Sequence, residues 1–215
     1  MGRPMERVFA VGDIHGCFDK LVSLMKIIDI DLKRETLVFI GDYVDRGPQS
    51  KEVVDYLIDL ARQASRLVFL KGNHERMLED YLSGADRLGF LYNGGGATLE
   101  SYSKGKDENE TAILPPGHLE FFSNLRLYYE TADYIFVHGG LKPAVPLNEQ
   151  GEWDMLWIRD EFISSDYDFG KRVIFGHTPF REPLVLDNKI GIDTGAVYGN
   201  KLTCVELPAV RFFSV

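Results

Sequence analysis

The chain has 215 residues, of which 45% are hydrophobic and 27% are charged. This balance is typical of a folded soluble protein rather than a disordered one, and the length predicts a single domain over residues 1–215. The formal net charge of −9 argues against nucleic-acid partners and against an anionic membrane surface. Because we find no signal peptide and no membrane-spanning segment, we expect a cytoplasmic protein with reduced Cys17 and Cys204.

Short apolar segments predict five strands that are buried on both faces. The first three alternate with amphipathic segments that predict helices over Asp19–Ile30, over Ser50–Ala64 and from about His74 onward. This β-α-β-α-β order predicts an α/β fold with parallel pairing through right-handed crossovers. The predicted strands are Val8–Val11, Leu37–Ile40, Leu67–Leu70, Tyr134–Val137 and Arg172–Phe175.

The segment 92–116 interrupts this alternation. It contains three consecutive glycines and ends in two prolines, so we interpret it as a loop and helical insertion that shapes access to the site. Towards the C-terminus, Lys189–Thr194 and Lys201–Leu207 predict two antiparallel strands joined by a turn near Tyr198, Gly199 and Asn200. This pair would extend the sheet.

Polar residues that can bind a metal or a phosphate follow each of the five predicted strands. Because the carboxyl ends of strands in an α/β protein face one crevice, we expect these residues to converge there. Four of the five histidines have this position, each within two residues of a glycine that lets the backbone and ions approach closely. The fifth, His118, is interpreted as structural. The candidates are Asp13, His15, Asp42, Asn73, His74, His138 and His177.

Oxygen and imidazole donors without a thiolate favour Mn²⁺, Fe or Zn²⁺ over Ca²⁺. Six such ligands are too many for one tetrahedral zinc ion, so we expect two divalent ions that share a carboxylate, with Mn²⁺ as the first choice. These six are Asp13, His15, Asp42, Asn73, His138 and His177. Two ions about 3.5–4 Å apart can bind both an attacking water and the phosphoryl oxygens. The pattern therefore predicts a two-metal phosphohydrolase.

Five motifs resemble the signature of the PPP-family metallophosphatases, the serine/threonine protein phosphatase type. They are GDIHG at 12–16, GDYVDRG at 41–47, GNHE at 72–75, HGG at 138–140 and GHT at 176–178. WIRDEF at 157–162 and IDTGAVYG at 192–199 are similar to the compact bacterial and phage members. The resemblance implies a calcineurin-like metallophosphatase fold, with central mixed β-sheets flanked by helices and the site at the C-terminal strand ends.

The resemblance also implies a role for each residue. One ion would be held by Asp13, His15 and Asp42, and the second by the shared Asp42 with Asn73, His138 and His177. His74 would be the general acid, oriented by Asp45. Arg46 and Arg159, together with Asn73, would bind the phosphate oxygens. Tyr198 either lines the site or is only a turn residue.

The expected nucleophile is a metal-bridging hydroxide, because the sequence has no G-x-S-x-G elbow and Cys17 is not in a phosphate-cradling loop. Our first hypothesis is a phosphoprotein phosphatase for serine and threonine phosphate, with tyrosine phosphate or a small phosphate ester as further substrates. The Asp45-Arg46 pairing, typical of protein phosphatases, favours it. The main alternative is a symmetric diadenosine tetraphosphatase or related nucleotide pyrophosphohydrolase. A nuclease or phosphodiesterase and a non-catalytic binding protein are lesser alternatives.

Overall fold

Two five-stranded mixed sheets form the centre of the protein in the computed structural model, which describes residues 7–104 and 114–215. The first sheet has the order β10-β9-β1-β2-β3 and the second has the order β4-β5-β6-β8-β7. The strands of the first sheet are β1 (Val8–Val11), β2 (Thr36–Phe39), β3 (Leu67–Phe69), β9 (Thr203–Leu207) and β10 (Arg211–Ser214). Those of the second are β4 (Tyr128–Glu130), β5 (Tyr134–Val137), β6 (Arg172–Phe175), β7 (Leu184–Val185) and β8 (Lys189–Gly191).

Helices cover the outer faces of these sheets. They are α1 (Phe18–Ile27), α2 (Ser50–Ala61), α3 (Asn73–Ser83), α4 (Arg87–Phe90), α5 (Gly96–Ser103), α6 (Pro116–Ser123), α7 (Glu152–Trp157) and α8 (Asp160–Ile163). A π-helical turn at Leu91–Gly95 and 3₁₀ turns at Leu147–Glu149 and Ala196–Tyr198 complete the described helical segments. None of the described helices is long and apolar enough to cross a bilayer.

The alternation of side chains along the strands explains why most positions in them are apolar, since both faces of each sheet are covered. One set, including Val8, Ala10 and Ile40, packs against Phe136 and Ile174 of the second sheet and forms a core between the sheets. The opposite set of the first sheet packs against α1 and α2, and that of the second sheet packs against α7 and α8. The strands are therefore buried on both faces, as the sequence predicted.

The predicted C-terminal pairing is wrong. Lys189–Gly191 pairs in parallel with β6 in the second sheet, whereas Thr203–Leu207 pairs antiparallel with β1 in the first. Ile190 and Val205 both belong to the core between the sheets, and each contributes to it from a different sheet. The intervening segment crosses from one sheet to the other, with Gly195 and Gly199 in the left-handed region at φ 70° and 86°.

Several boundaries also differ from the prediction. Helix α1 ends at Ile27 rather than Ile30 because Ile28 is extended, and α2 ends at Ala61 rather than Ala64. The third predicted helix is confirmed as α3, beginning at Asn73. The insertion at 92–116 is helical through α5 and again from Pro116 at the start of α6, and residues 105–113 of the prediction lie outside the described part of the chain.

Candidate metal centre

Asp42 lies at the middle of a cluster formed by the loops that follow the strands of both sheets. Its Oδ2 is 3.3 Å from His15 Nε2 and its Oδ1 is 3.4 Å from His138 Nε2. Two overlapping triplets share this carboxylate, with ligand atoms within 4.8 Å of one another: His15, Asp42 and His74, and Asp42, His138 and His177. The structure thus brings residues from both sheets to one place, as the strand-end argument predicted.

Asn73 and Asp13 complete the cluster. The Asn73 side-chain oxygen lies 2.9 Å from His138 Nε2 and 2.8 Å from His177 Nδ1. Asp13 Oδ2 accepts a hydrogen bond from the His177 backbone N–H at 2.9 Å. All six residues proposed as metal ligands are therefore joined through short contacts, and all are buried.

Two of the imidazoles are held in the tautomer that places a lone pair on Nε2. His15 Nδ1 lies 2.9 Å from the Val44 carbonyl and His138 Nδ1 lies 2.9 Å from the Ile40 carbonyl. Each Nδ1–H donates to its carbonyl, which leaves Nε2 as a lone-pair donor directed towards Asp42. This is the arrangement in which neighbouring groups orient a metal ligand and fix its tautomer.

Buried polar atoms without a hydrogen-bond partner provide a test of whether divalent ions fit this cluster. Asp13 Oδ1 and His177 Nε2 are two such atoms. An unpaired buried carboxylate oxygen is costly, and coordination of a cation would remove the cost. Glycines preserve the space for this, since a Cβ at Gly72 would overlap Asp42 Oδ1 and one at Gly176 would overlap Asp13 Oδ1. The residues therefore fit a pair of divalent ions.

The charge balance of the cluster points in the same direction. Burial, followed by the charges of Asp193 and Asp42, raises the pKa of Asp13 well above its usual range. Burial also opposes ionisation of Asp42, but three neighbouring imidazoles lower its pKa well below the usual range. Burial and the neighbouring His138 lower the pKa of His177 to about 2, so its imidazole is neutral and can bind a cation.

Backbone conformations at this centre are unusual for non-glycine residues. His15, Asp42, Asp45, Arg46 and His177 all have φ between 48° and 72°. Such left-handed conformations are costly for residues with a Cβ, and they concentrate where a site requires a particular direction of the side chain. The sharp turns after β1, β2 and β6 are therefore built to direct these side chains into the cluster.

The proposed general acid and its orienting carboxylate form a buried pair. His74 Nδ1 lies 2.7 Å from Asp45 Oδ2, and both side chains are almost fully buried. His74 Nε2 has no hydrogen-bond partner and is 4.0 Å from Asp42 Oδ2. The carboxylate thus holds the Nδ1–H, and Nε2 is the nitrogen that faces the cluster.

The proposed phosphate-binding residues lie on two sides of the centre. Arg46 Nη1 donates to His15 Nε2 at 2.7 Å, and its guanidinium lies 5.6 Å from the centre of the Tyr198 ring. Arg159 is exposed and donates to the Thr178 hydroxyl at 3.4 Å, and its charge is among those that lower the pKa of His177. Tyr198 is 63% exposed and lies next to the centre through its contact with Arg46.

Glu75 is a positioning residue to which the sequence analysis gave no role. Its carboxylate accepts N–H groups of Asp42 and Gly72, both at 2.9 Å, and of Tyr43 at 2.8 Å. It therefore fixes the turn that carries Asp42. Burial and the charge of Asp42 raise the pKa of Glu75 to about 8, whereas the N–H donors oppose this shift. Glu75 follows Gly72 at the spacing of a helix capping box, which was a usable signal.

Asp193 was also missed. It is buried, accepts the Gly195 N–H at 2.9 Å, and interacts electrostatically with Asp13, Asp42 and His15. It follows β8 closely, so the rule that identified the other strand-end residues would have identified it as well. The structural interpretation of His118 agrees with its position, since its ring contacts Tyr102 and Asp55 rather than the cluster.

Two mixed sheets flanked by helices, with carboxylate and imidazole ligands converging at the strand ends, define a metallophosphoesterase. The profile of the calcineurin-like phosphoesterase family matches residues 6–204, and the chain belongs to this family. The expected fold is thereby confirmed.

Similarity to individual proteins extends over nearly the whole chain. The chain is 28% identical to an asymmetrical bis(5'-nucleosyl)-tetraphosphatase PrpE from Anoxybacillus flavithermus, over 95% of this chain and 92% of that protein. It is 30% identical to serine/threonine-protein phosphatase 1 from Salmonella typhimurium, over 93% and 91% of the two chains. The crystal structure of a putative diadenosine tetraphosphatase superposes with a TM-score of 0.77 at 24% identity, covering 100% of this chain and 95% of the other.

Proposed function

We propose that this chain hydrolyses dinucleoside tetraphosphates with the help of two divalent ions. The observation that carries the proposal is the convergence of carboxylate, amide and imidazole donors around Asp42. The substrate class is supported by the name of the Anoxybacillus flavithermus relative, which also suggests asymmetrical cleavage rather than the symmetric cleavage considered from the sequence. The ligands in this proposal are Asp13, His15, Asp42, Asn73, His138 and His177.

The two ions, when bound, would activate a water molecule and neutralise charge on the phosphoryl oxygens. The remaining tasks belong to side chains of the protein. Arg46 and Arg159 would bind phosphate oxygens from opposite sides, since a guanidinium can donate two parallel hydrogen bonds. His74 would donate a proton from Nε2 to the leaving oxygen, and Asp45 would keep the other ring nitrogen protonated and correctly oriented.

The test is product analysis of diadenosine tetraphosphate incubated with the protein and Mn²⁺, with Fe²⁺ and Zn²⁺ tried in parallel. We expect ATP and AMP in equal amounts, resolved by anion-exchange chromatography. An Asp42→Asn variant, which lacks the carboxylate shared by both triplets, is expected to be inactive. Rapid hydrolysis of phosphopeptides with no cleavage of the dinucleotide would contradict the proposal.

A phosphoprotein phosphatase is the second candidate, and the buried His74–Asp45 pair is the observation that favours it. A serine or threonine alkoxide leaves poorly unless it is protonated, whereas a nucleoside phosphate leaves readily as an anion. The Salmonella typhimurium relative is named as a protein phosphatase. An acid held in this way is more important for an ester than for an anhydride.

The variant His74→Asn distinguishes the two candidates. For a phosphoserine peptide we expect kcat/KM to fall by about 10²- to 10⁴-fold, the usual contribution of general acid catalysis. For the dinucleotide we expect a much smaller loss. His118→Asn, which changes a histidine outside the cluster, is the matched control and should leave both activities near the original values. Equal losses on both substrates would argue against His74 as the acid.

A further inference from the structure

The two tryptophans of the chain, Trp153 and Trp157, form a stacked pair beside the candidate metal centre. Their ring centres are 5.3 Å apart with an angle of 22° between the planes. Trp157 meets His177 edge to face at 6.0 Å, whereas Trp153 is 71% exposed. An aromatic column therefore leads from a proposed metal ligand to an open indole face on the surface.

The helix that carries this pair is fixed relative to the centre. The Gly139 N–H, next to His138, donates to the Met155 carbonyl at 2.7 Å, and a Cβ at Gly139 would lie only 2.9 Å from the backbone of Leu156. From the other side, Arg76 of α3 lies 3.6 Å from the Glu152 carboxylate. Helix α7 is thus attached to the strand-end loop of His138 and to the helix of His74, so the indole face has a defined position.

We propose that the exposed face of Trp153 stacks on a purine base of the substrate while a phosphate of the same molecule lies at the metal centre. This rests on the proposed function and adds a specificity residue to it. In the sequence of α7, Trp153 lies between Glu152 and Asp154. Arg76 offsets the charge of Glu152, and the charge of Asp154 disfavours a second phosphate or an acidic peptide near this position. A neutral base has no such penalty, and stacking on an aromatic side chain is favourable for any base.

Intrinsic fluorescence tests the proposal directly, because both tryptophans of the chain belong to this pair. The protein would be titrated in Mg²⁺ with AMP and, as the matched ligand without a base, with ribose 5-phosphate. We expect AMP to quench the emission and shift its maximum, and ribose 5-phosphate to have little effect. In Trp153→Tyr we expect AMP still to change the emission, with a smaller amplitude. This variant should also bind AMP more tightly than Trp153→Leu does.

Kinetics provide the second measurement. For Trp153→Leu we expect the ratio of KM for diadenosine tetraphosphate to KM for glycerol phosphate to rise about tenfold, the lower part of the range for loss of one stacked base. Trp153→Tyr, which retains an aromatic face, should restore most of this ratio. Tyr167→Leu is the matched control, since Tyr167 is a 42% exposed aromatic residue whose ring packs on Phe169.

The outcomes separate this inference from the proposed function. If AMP quenches the emission but the dinucleotide is not cleaved, the base subsite stands and the proposed function fails. If the dinucleotide is cleaved but the KM ratio is unchanged in Trp153→Leu, or AMP and ribose 5-phosphate act alike, the base subsite is wrong. If Trp153→Leu increases KM for a phosphopeptide but not for the dinucleotide, the tryptophan pair contacts a peptide side chain, and the proposed base subsite is also wrong.

Discussion

Thr98 holds Asp45 in the orientation that His74 requires. Its hydroxyl donates to Asp45 Oδ1 at 2.6 Å and accepts the Asp45 backbone N–H at 2.8 Å. Because the other carboxylate oxygen of Asp45 contacts His74 Nδ1, a rotation of this carboxylate would move the imidazole or change its tautomer. Thr98 thus acts on the proposed acid through Asp45, as a positioning residue.

The substitution Thr98→Val removes this hydroxyl with little change in volume. We expect kcat for a phosphoserine peptide to fall by about 10- to 150-fold with little change in KM, because a buried hydrogen bond to a charged acceptor contributes about 1.5–3 kcal/mol. Steady-state kinetics as a function of pH measure the effect, and the alkaline limb of the kcat profile should shift with it.

Thr203→Val is the matched control for that experiment. Thr203 is buried on β9, and its hydroxyl contacts those of Thr194 and Ser214 rather than the proposed catalytic pair. The kcat of the Thr203→Val variant should be unchanged even if the stability of this variant is lower. If Thr98→Val slows an activated aryl phosphate as much as the phosphoserine peptide, the hydroxyl does not act through the proposed acid.

At the scale of elements, His118 joins three helices outside the metal cluster. Its Nδ1 accepts the Tyr102 hydroxyl of α5 at 2.7 Å, and its Nε2 donates to Asp55 of α2 at 2.9 Å, while His118 itself belongs to α6. Burial lowers the pKa of His118 below its usual value of 6.5, although Asp55 opposes this shift. The neutral ring is the form that fits these contacts.

This geometry predicts a pH dependence of stability. Below pH 6.5 the unfolded chain binds a proton at His118 that the folded chain does not bind, so stability is lost as pH falls towards the folded-state pKa. One such proton contributes at most about 1.4 kcal/mol per pH unit. Urea denaturation at pH 7.5 and 5.5, with metal present, should show a smaller acid-induced loss in His118→Asn than in the original protein. Equal losses would contradict the role of this histidine.

The strands that lead to the site were predicted more accurately from the sequence than the remaining strands of the two sheets. Five mostly apolar runs, each followed by a proposed ligand, identify the strand ends because a strand buried on both faces has few polar residues within it. Strand β4, in contrast, is a partly exposed segment of three residues, Tyr128–Glu130, with no comparable signal. The partners of Lys189–Gly191 and Thr203–Leu207 depend on which sheet each joins, and local periodicity contains no information about that.

The support of Asp45 by Thr98 could not be predicted for a related reason. Thr98 lies in the insertion, 53 residues from Asp45, and a single buried threonine has no distinguishing sequence pattern. The same insertion supports Arg46, whose backbone N–H donates to the Gly94 carbonyl at 3.1 Å. The insertion was expected to shape access to the site. Its described residues also support the Asp45–Arg46 turn, which is a long-range contact that only the fold reveals.

At the scale of the whole molecule, the candidate metal centre connects the two sheets. Asp13, Asp42 and Asn73 follow strands of the first sheet, and His138 and His177 follow strands of the second. Across this boundary, the His177 Nδ1–H donates to the Asn73 side-chain oxygen at 2.8 Å. Bound cations would add further links between the sheets and would offset the repulsion between Asp13 and Asp42. Metal binding should therefore stabilise the fold as well as support the reaction.

We expect chelation of divalent ions to lower the melting temperature. A ligand at 100 times its Kd stabilises the folded state by about 2.7 kcal/mol, and for a chain of this length each kcal/mol corresponds to about 2–4 °C. Thermal denaturation with EDTA, and after addition of excess Mn²⁺, should therefore differ by about 5–10 °C. In Asp42→Asn the two curves should nearly coincide, because the shared ligand is absent. If that variant responds to Mn²⁺ as fully as the original protein does, the stabilising ions bind elsewhere on the molecule.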